Sequence, residues 1–406
     1  MDKLKERLQK ENQEQILRFY DELSQQEQEA LREQIEALDL EMVRRAFESR
    51  GIEADGEIAP IRTLTKEEIV AQQDKFYQTG LAALQEGKLA AVLLAGGQGS
   101  RLGFEGPKGK FNVGITKELY LFEILIRNME ESVRQSGKLI PMYIMTSDLN
   151  HEETVAFFEE KNYFGYPADY IHFFKQDMAP SLDHEGRIML EEKGKISLTP
   201  NGNGGWFSSL QRCGLLEEIK AQGIEWLNVF SVDNVLQKIG DPVFLGATLC
   251  EGHAAGAKVI AKVSPDEKVG AICLRGDRPS VVEYSELTEE MRNAVDEEGQ
   301  YLYHYGVTLN YLFRIAETEA GAKELPMHLA NKKISCIDEN GCKIQPQEPN
   351  GYKLETFIFD ILSCYDEITV FEVVREDEFA PIKNKCGDDS PETARALLVN
   401  KTGIQL

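Results

Sequence analysis

An apolar run from Leu89 to Ala95 stops abruptly at Gly96 and Gly97, and a third glycine, Gly99, follows at once. Arg101 comes next, and then a Pro107-Lys108 pair. The run reads as a buried strand, and its abrupt end as a loop whose backbone can press against a ligand. Glycines there remove the Cβ atoms that would hold a ligand off. Bare N–H groups with two cations nearby suit phosphate oxygens. Spacing excludes two familiar phosphate loops. A Walker A loop ending at Gly109-Lys110 would need glycine at Phe104, and a dinucleotide fingerprint starting at Gly97 would need glycine at Leu102.

From residue 89 onward, short apolar runs alternate with helical periodicity. Strands are expected at 89–95, 142–147, 170–175, 226–232, 257–263, 271–275 and 281–284, and helices at 118–136 and 152–161. This alternation predicts an α/β fold with a mostly parallel sheet, its ligand lying beyond the C-terminal ends of the strands. Residues 1–85 read as a polar, helical N-terminal region. In it Ser24 and Glu27 make a capping box, Leu31, Ile35 and Leu38 follow at helical spacing, and a break at 51–60 precedes a second helical stretch at 65–85. These helices either pack on the main domain or hold a partner, and no chemistry shows in them. The expected division is therefore 1–85 helical, 86–330 a central α/β domain that binds the ligand, and 331–406 a short C-terminal segment.

Composition narrows the function. The chain has 406 residues, 42% of them hydrophobic, enough for a large core. No apolar stretch approaches the roughly 20 residues of a membrane span, and the charged N-terminus lacks a signal peptide's apolar region. The expected location is the cytoplasm, away from membranes. A net charge of −24 argues against a nucleic-acid partner, yet a local group of Arg, Lys and a divalent cation could still hold a phosphorylated substrate. The seven cysteines include no Cys-x-x-Cys pair, which predicts free thiols in a reducing compartment. The six histidines show no zinc-site spacing.

Residues 93–108 closely resemble the signature of eukaryotic-type UDP-sugar pyrophosphorylases. The resemblance recurs at Tyr143–Ser147 with Gln176, at Pro200–Gly205, at Phe230–Asn234 with Asp241-Pro242, and at Val269–Cys273 with Val282-Glu-Tyr284. It therefore spans roughly residues 90 to 385, and the segments Gly351–Asp360 and Val374–Asn384 resemble the N-acetylhexosamine branch. It implies a Rossmann-like nucleotidyltransferase sheet and a uridylyltransferase that makes a UDP-sugar and pyrophosphate from UTP and a hexosamine 1-phosphate, N-acetylglucosamine 1-phosphate first among them.

The roles implied are these. Leu94, Ala95, Gly96 and Gly97 present backbone to the nucleotide, Gln176 reads the uracil edge, and Lys353 reaches the phosphates. Arg101, Lys108 and Lys383 stabilise the triphosphate, the leaving group and the sugar phosphate. Asp233 holds Mg²⁺, a hard ion that favours carboxylate and phosphate oxygens. Gly202, Asn203, Gly270, Glu283, Phe357 and Phe359 hold the sugar. The two phenylalanines would serve equally as same-face core residues of a strand.

One position departs from the family pattern. Val307 stands where its sugar-contacting asparagine is expected, and a valine cannot hydrogen-bond a hydroxyl or acetamido group. Asn310 or Thr308 would have to substitute for it. The resemblance therefore leaves glucose, galactose and N-acetylgalactosamine 1-phosphates open, and implies no oligomeric state. A catalytically silent sugar-nucleotide binder is a further alternative. A glycosyltransferase fits less well, since its usual Asp-x-Asp is Asp233-Asn-Val here.

Overall fold

Leu89–Leu94 is buried at all six positions, as a strand covered on both faces must be. The computed structural model describes residues 2–51, 56–284, 286–297, 299–322 and 325–404, and places this strand in an eleven-stranded sheet. In chain order the strands of the main path are β1 (Thr63–Leu64), β2 (Leu89–Leu94), β3 (Met142–Thr146), β4 (Ile171–Lys175), β5 (Trp226–Ser231), β6 (Ala255–Ala261), β7 (Tyr305–Arg314) and β8 (Thr369–Glu372). They lie side by side as β1, β8, β6, β7, β5, β2, β3, β4. β7 runs antiparallel to both neighbours. Every other adjacent pair on the path is parallel. Three further strands, Ile58–Ala59, Ala271–Arg275 and Arg278–Val282, form an antiparallel flap joined to β7 through Ala271 and Gly306.

The mostly parallel α/β sheet is as expected, and the apolar runs from 89 to 275 become strands whose ends shift by no more than two residues. The flap's return strand is Arg278–Val282 rather than 281–284. The helix expected at 118–136 is Leu121–Ser136, ended by Gly137 at φ +69°, whose N–H donates to Val133 O at 2.8 Å. The helix expected at 152–161 is His151–Glu160. Part of the break at 51–60 (residues 52–55) lies outside the described residues.

The chain divides into two compact units, cut elsewhere than at residues 85 and 330. One comprises 55–176, 206–324 and 359–406; the other comprises 1–54, 177–205 and 325–358. The stretch after residue 56 joins the sheet unit because it supplies β1 and Ile58–Ala59, and β8 draws the C-terminal segment into the same sheet. In the second unit the helices Asp2–Lys10, Gln25–Ala37 and Leu40–Glu48 share a core with Ala179, Leu182, Ile188, Leu190, Ile196 and Leu354. The Ser24–Glu27 capping box forms as expected, and Leu31 and Ile35 are buried. Gln13, itself buried, donates Nε2 to Gly186 O at 3.0 Å and accepts from Ile188 N at 2.8 Å, which fixes that helical region to a hairpin. Among the described residues no helix is long and apolar enough to cross a membrane. None of the seven cysteines is joined in a disulfide.

Within the sheet unit, helix Gln73–Gln85 crosses Pro242–Glu251 at a glycine-to-glycine contact. A Cβ at Gly80 would lie 1.9 Å from Pro242 O, and one at Gly246 would lie 1.7 Å from Phe76 O. Both obstacles are backbone carbonyls, which cannot rotate away. Alanine would gain about 1 kcal/mol of helix propensity, but it would force the helices apart, at a typical overpacking cost of about 1–3 kcal/mol or more. Gly246→Ala should therefore lower the denaturation midpoint, measured by urea titration. An unchanged or raised midpoint would mean that the crossing yields freely.

Candidate active site

β5, β2, β3 and β4 are adjacent and parallel, so the segments leaving their C-terminal ends emerge along one edge of the sheet. After β2 the Ala95 N–H still donates to Met145 O at 2.8 Å. Lys108 N then donates to Gly97 O at 3.1 Å and Gly99 N to Gly106 O at 3.0 Å, closing residues 97–108 into one loop. Asn150, 1% exposed, donates Nδ2 to Ala95 O at 2.9 Å and to Gly97 O at 3.3 Å, while its Oδ1 accepts from Ser147 N. One buried amide thus fixes the glycine loop to the turn after β3. A Cβ at Gly96 would sit 2.8 Å from Gln176 Oε1, so this glycine is what lets the Gln176 amide approach the loop. At Gly97 a Cβ would meet nothing within 4 Å. Leu94 and Ala95 are buried and can offer a ligand only their backbone.

The loop delivers Lys108 to Asp233, which follows β5; Nζ and Oδ2 are 3.8 Å apart and each side chain is 16% exposed. The Ser231 hydroxyl donates to Asp233 Oδ1. Burial opposes ionisation of Asp233, but Lys108, Lys383 and the Ser231 hydrogen bond outweigh it and hold the carboxyl below its usual range. Burial lowers the Lys108 ammonium, opposed by Asp233 and reinforced by the charges of Lys383 and Arg101, so that it loses its proton more readily than an ordinary lysine. Arg101 itself is exposed.

Lys383 arrives on a segment docked on the turn that carries Asp233. Ile382 N donates to Asp233 O at 2.9 Å, and Ala380 N to Asn234 Oδ1 at 2.9 Å. Asn234 Nδ2 reaches Glu378 O at 2.7 Å. Lys383 also pairs with Asp389 at 3.7 Å. Glu283 lies within the field of Lys383; burial, reinforced by Glu286, raises its carboxyl above the ordinary range although Lys383 works against this. Gly270 opposes Glu283 at the base of the flap, its O accepting from Val307 N at 3.0 Å. Arg101, Lys108, Asp233, Lys383 and Glu283 are thus brought together, with Gly96 and Gln176 on the same sheet edge.

Asn310 is fully buried on β7; its Oδ1 accepts from Asn228 Nδ2 at 2.8 Å and its Nδ2 donates to Lys238 O at 3.2 Å. An amide used in this way cannot serve a sugar, contrary to the role expected of Asn310. Phe357 and Phe359 are not same-face strand residues, because the strand Gly351–Glu355 ends before them and Phe359 lies in the 3₁₀ turn Ile358–Cys364. Phe357, half-buried, packs its ring 4.8 Å from His328. Lys353 stands opposite Ala330 in that strand's antiparallel pair.

The glycines of Pro200–Gly205 make their close approach to protein. A Cβ at Gly202, where φ is +84°, would lie 2.2 Å from Thr356 O, and one at Gly204 would lie 2.7 Å from the Phe357 backbone. Asn203 Oδ1 accepts from Ile358 N at 3.0 Å.

Asp233 offers one hard oxygen ligand, and the described residues gather no group of three or more His, Cys, Asp or Glu that could enclose a metal. That donor set suits a divalent cation completing its shell from phosphate oxygens and water, and does not suit structural zinc.

Residues 40–403 match the family model described as UTP–glucose-1-phosphate uridylyltransferase. The chain is 34% identical, over 97% of its length and 82% of the relative's, to UDP-N-acetylhexosamine pyrophosphorylase-like protein 1 of Mus musculus. It is 36% identical, over 98% and 83%, to UDP-N-acetylglucosamine diphosphorylase 2 of Arabidopsis thaliana. Among solved structures it resembles the uridine diphosphate N-acetylglucosamine pyrophosphorylase of Trypanosoma brucei in complex with an inhibitor, with a TM-score of 0.80 and 28% identity over 97% of this chain and 83% of that one. On the strength of the match across residues 40–403, the chain belongs to the UTP–glucose-1-phosphate uridylyltransferase family.

Proposed function

We propose that the protein transfers the uridylyl group of UTP to a sugar 1-phosphate, N-acetylglucosamine 1-phosphate first, releasing pyrophosphate and a UDP-sugar. The observation that carries this reading is the pairing of Lys108 with Asp233 beside the glycine loop, with Lys383 in the field of both and Arg101 in the field of Lys108. The names of the Arabidopsis and trypanosomal relatives support the acetamido sugar. Val307, half-buried against Gly270, favours a second reading with glucose, galactose or N-acetylgalactosamine 1-phosphate. The seven cysteines, none of them in a disulfide, support a reducing, cytoplasmic setting.

The sugar phosphate oxygen attacks the α-phosphorus of UTP, a new P–O bond forms, and the bond to the bridging oxygen breaks as pyrophosphate leaves. The nucleophile is already anionic, since a phosphate monoester's second pKa is about 6, and no general base is needed. The protein's work is alignment and neutralisation of charge. Gly96 and Gly97 present backbone to the nucleotide, and Gln176 offers the uracil imide a donor and an acceptor. Arg101 and Lys108 stabilise the triphosphate and the departing pyrophosphate, and Lys383 steadies the sugar phosphate. In the same proposal Gly270 and Glu283 contact the sugar. Asp233 would hold Mg²⁺, which when bound supplies further neutralisation of phosphate charge.

Pyrophosphate release from UTP should be fastest with N-acetylglucosamine 1-phosphate when it is assayed in parallel with glucose, galactose and N-acetylgalactosamine 1-phosphates. Preference for another sugar would move the specificity to the second reading, and release with none would remove the activity. Lys108→Ala should lower kcat by about 10²-fold or more with the circular dichroism unchanged. The catalytic form of Lys108 is charged and its proton is lost early, so the alkaline limb of the wild-type pH profile should lie below an ordinary lysine's. Lys108→Arg should move that limb upward, because a guanidinium stays charged. A limb that does not move would detach Lys108 from the profile.

A further inference from the structure

Lys258 sits in the middle of β6 and is 1% exposed, with Nζ within 5.4 Å of the Phe244 ring centroid and 6.0 Å of that of Phe371. The mechanism above does not use it. Its ammonium donates to Asp241 Oδ2 at 2.7 Å and to Glu378 Oε2 at 2.6 Å, and Lys238 Nζ reaches Glu378 Oε1 at 2.9 Å. A buried ion network of this kind is a poor source of stability compared with apolar packing, because each charge must be taken out of water. What it does supply is direction, since a buried charge tolerates few positions for its partners. The partners here are informative. Asp241 caps helix Pro242–Glu251, accepting from Val243 N at 2.9 Å, while Glu378 heads the segment that ends in Lys383.

Glu378 acts on two sides. Its carboxylate is pinned by Lys258, and its main-chain oxygen accepts the 2.7 Å bond from Asn234 Nδ2, next to Asp233. The same segment then bonds Ala380 N to Asn234 Oδ1 and Ile382 N to Asp233 O, both at 2.9 Å. Opposite Lys258, the register between β6 and β7 slips from Ala257 to Val259, and Thr308 Oγ1 donates to Lys258 O at 3.0 Å. The strand is thus held at the point where the lysine projects.

We infer that Lys258 is a positioning residue: through Glu378 it fixes residues 378–383 against the Asp233–Asn234 turn and so sets the separation of Lys383 from Asp233. The catalytic meaning of that separation rests on the uridylyltransferase reading; the positional claim does not.

The test is Lys258→Met in the full-length protein, with Glu378→Gln as a milder second variant should the first fail to fold. Well below the thermal midpoint, kcat should fall by about 10-fold to 10²-fold, as expected when a reacting group is misplaced by about an ångström. KM for UTP should stay within about twofold, since uniform binding is untouched. Hydrogen exchange should quicken at the Ala380 and Ile382 amides and stay as in the wild type along Leu89–Leu94. A lowered thermal midpoint with kcat retained would overturn the inference, as would exchange that quickens equally across the sheet. If the wild type turns over no sugar phosphate, the uridylyltransferase reading falls, and the exchange pattern alone decides for or against the positioning role.

Discussion

Lys383 and Arg101 both repel Lys108, and Asp233 is the counter-charge that lets Lys108 and Lys383 gather in one place. The chain as a whole carries −24, so these cations gather in a strongly acidic protein. Its members come from distant parts of the sequence. Lys108 is placed by the loop closed between Gly97 and Lys108, Asp233 by the end of β5, and Lys383 by a segment bonded to the Asp233 and Asn234 backbone and amide. Parallel neighbours in the sheet make this possible, because parallel strands deliver their C-terminal loops to a common edge.

Much of this was legible in the residues. The run 89–95 reads as a buried strand, and the glycines after it as a loop that a ligand can approach closely. The Ser24–Glu27 box announced its helix just as plainly. β7 was not legible, because Thr308 and Asn310 interrupt the apolar pattern that marks a buried strand. Their burial is tolerated because each finds a partner: Thr308 bonds Lys258 O, and Asn310 bonds Asn228 and Lys238 O. Asn150 and Lys258 were invisible for the same reason. A buried polar residue is explained by its partners, and those lie far off in sequence.

The glycines illustrate how one residue type carries different physical demands. Gly96 makes way for a side chain, Gln176, on the edge where a nucleotide is proposed to bind. Gly202 and Gly204 make way for the backbone of Thr356 and Phe357, and Gly80 and Gly246 for a helix crossing. Sequence alone marks the glycines after β2 as a place of close approach and says nothing of Gly80 or Gly246. Only the coordinates say what approaches, and in the Pro200–Gly205 loop it is protein.

The central claim is that the group around Asp233 carries out reversible uridylyl transfer and does more than bind a sugar nucleotide. The most direct measurement is exchange of labelled pyrophosphate into UTP in the presence of a UDP-sugar and a divalent cation. This follows the reverse reaction and needs no assumption about which residues bind the sugar. The account predicts steady incorporation of label by the wild-type protein, dependent on the UDP-sugar. A protein that binds the UDP-sugar yet incorporates no label would contradict it, and would leave a binding module built on this fold.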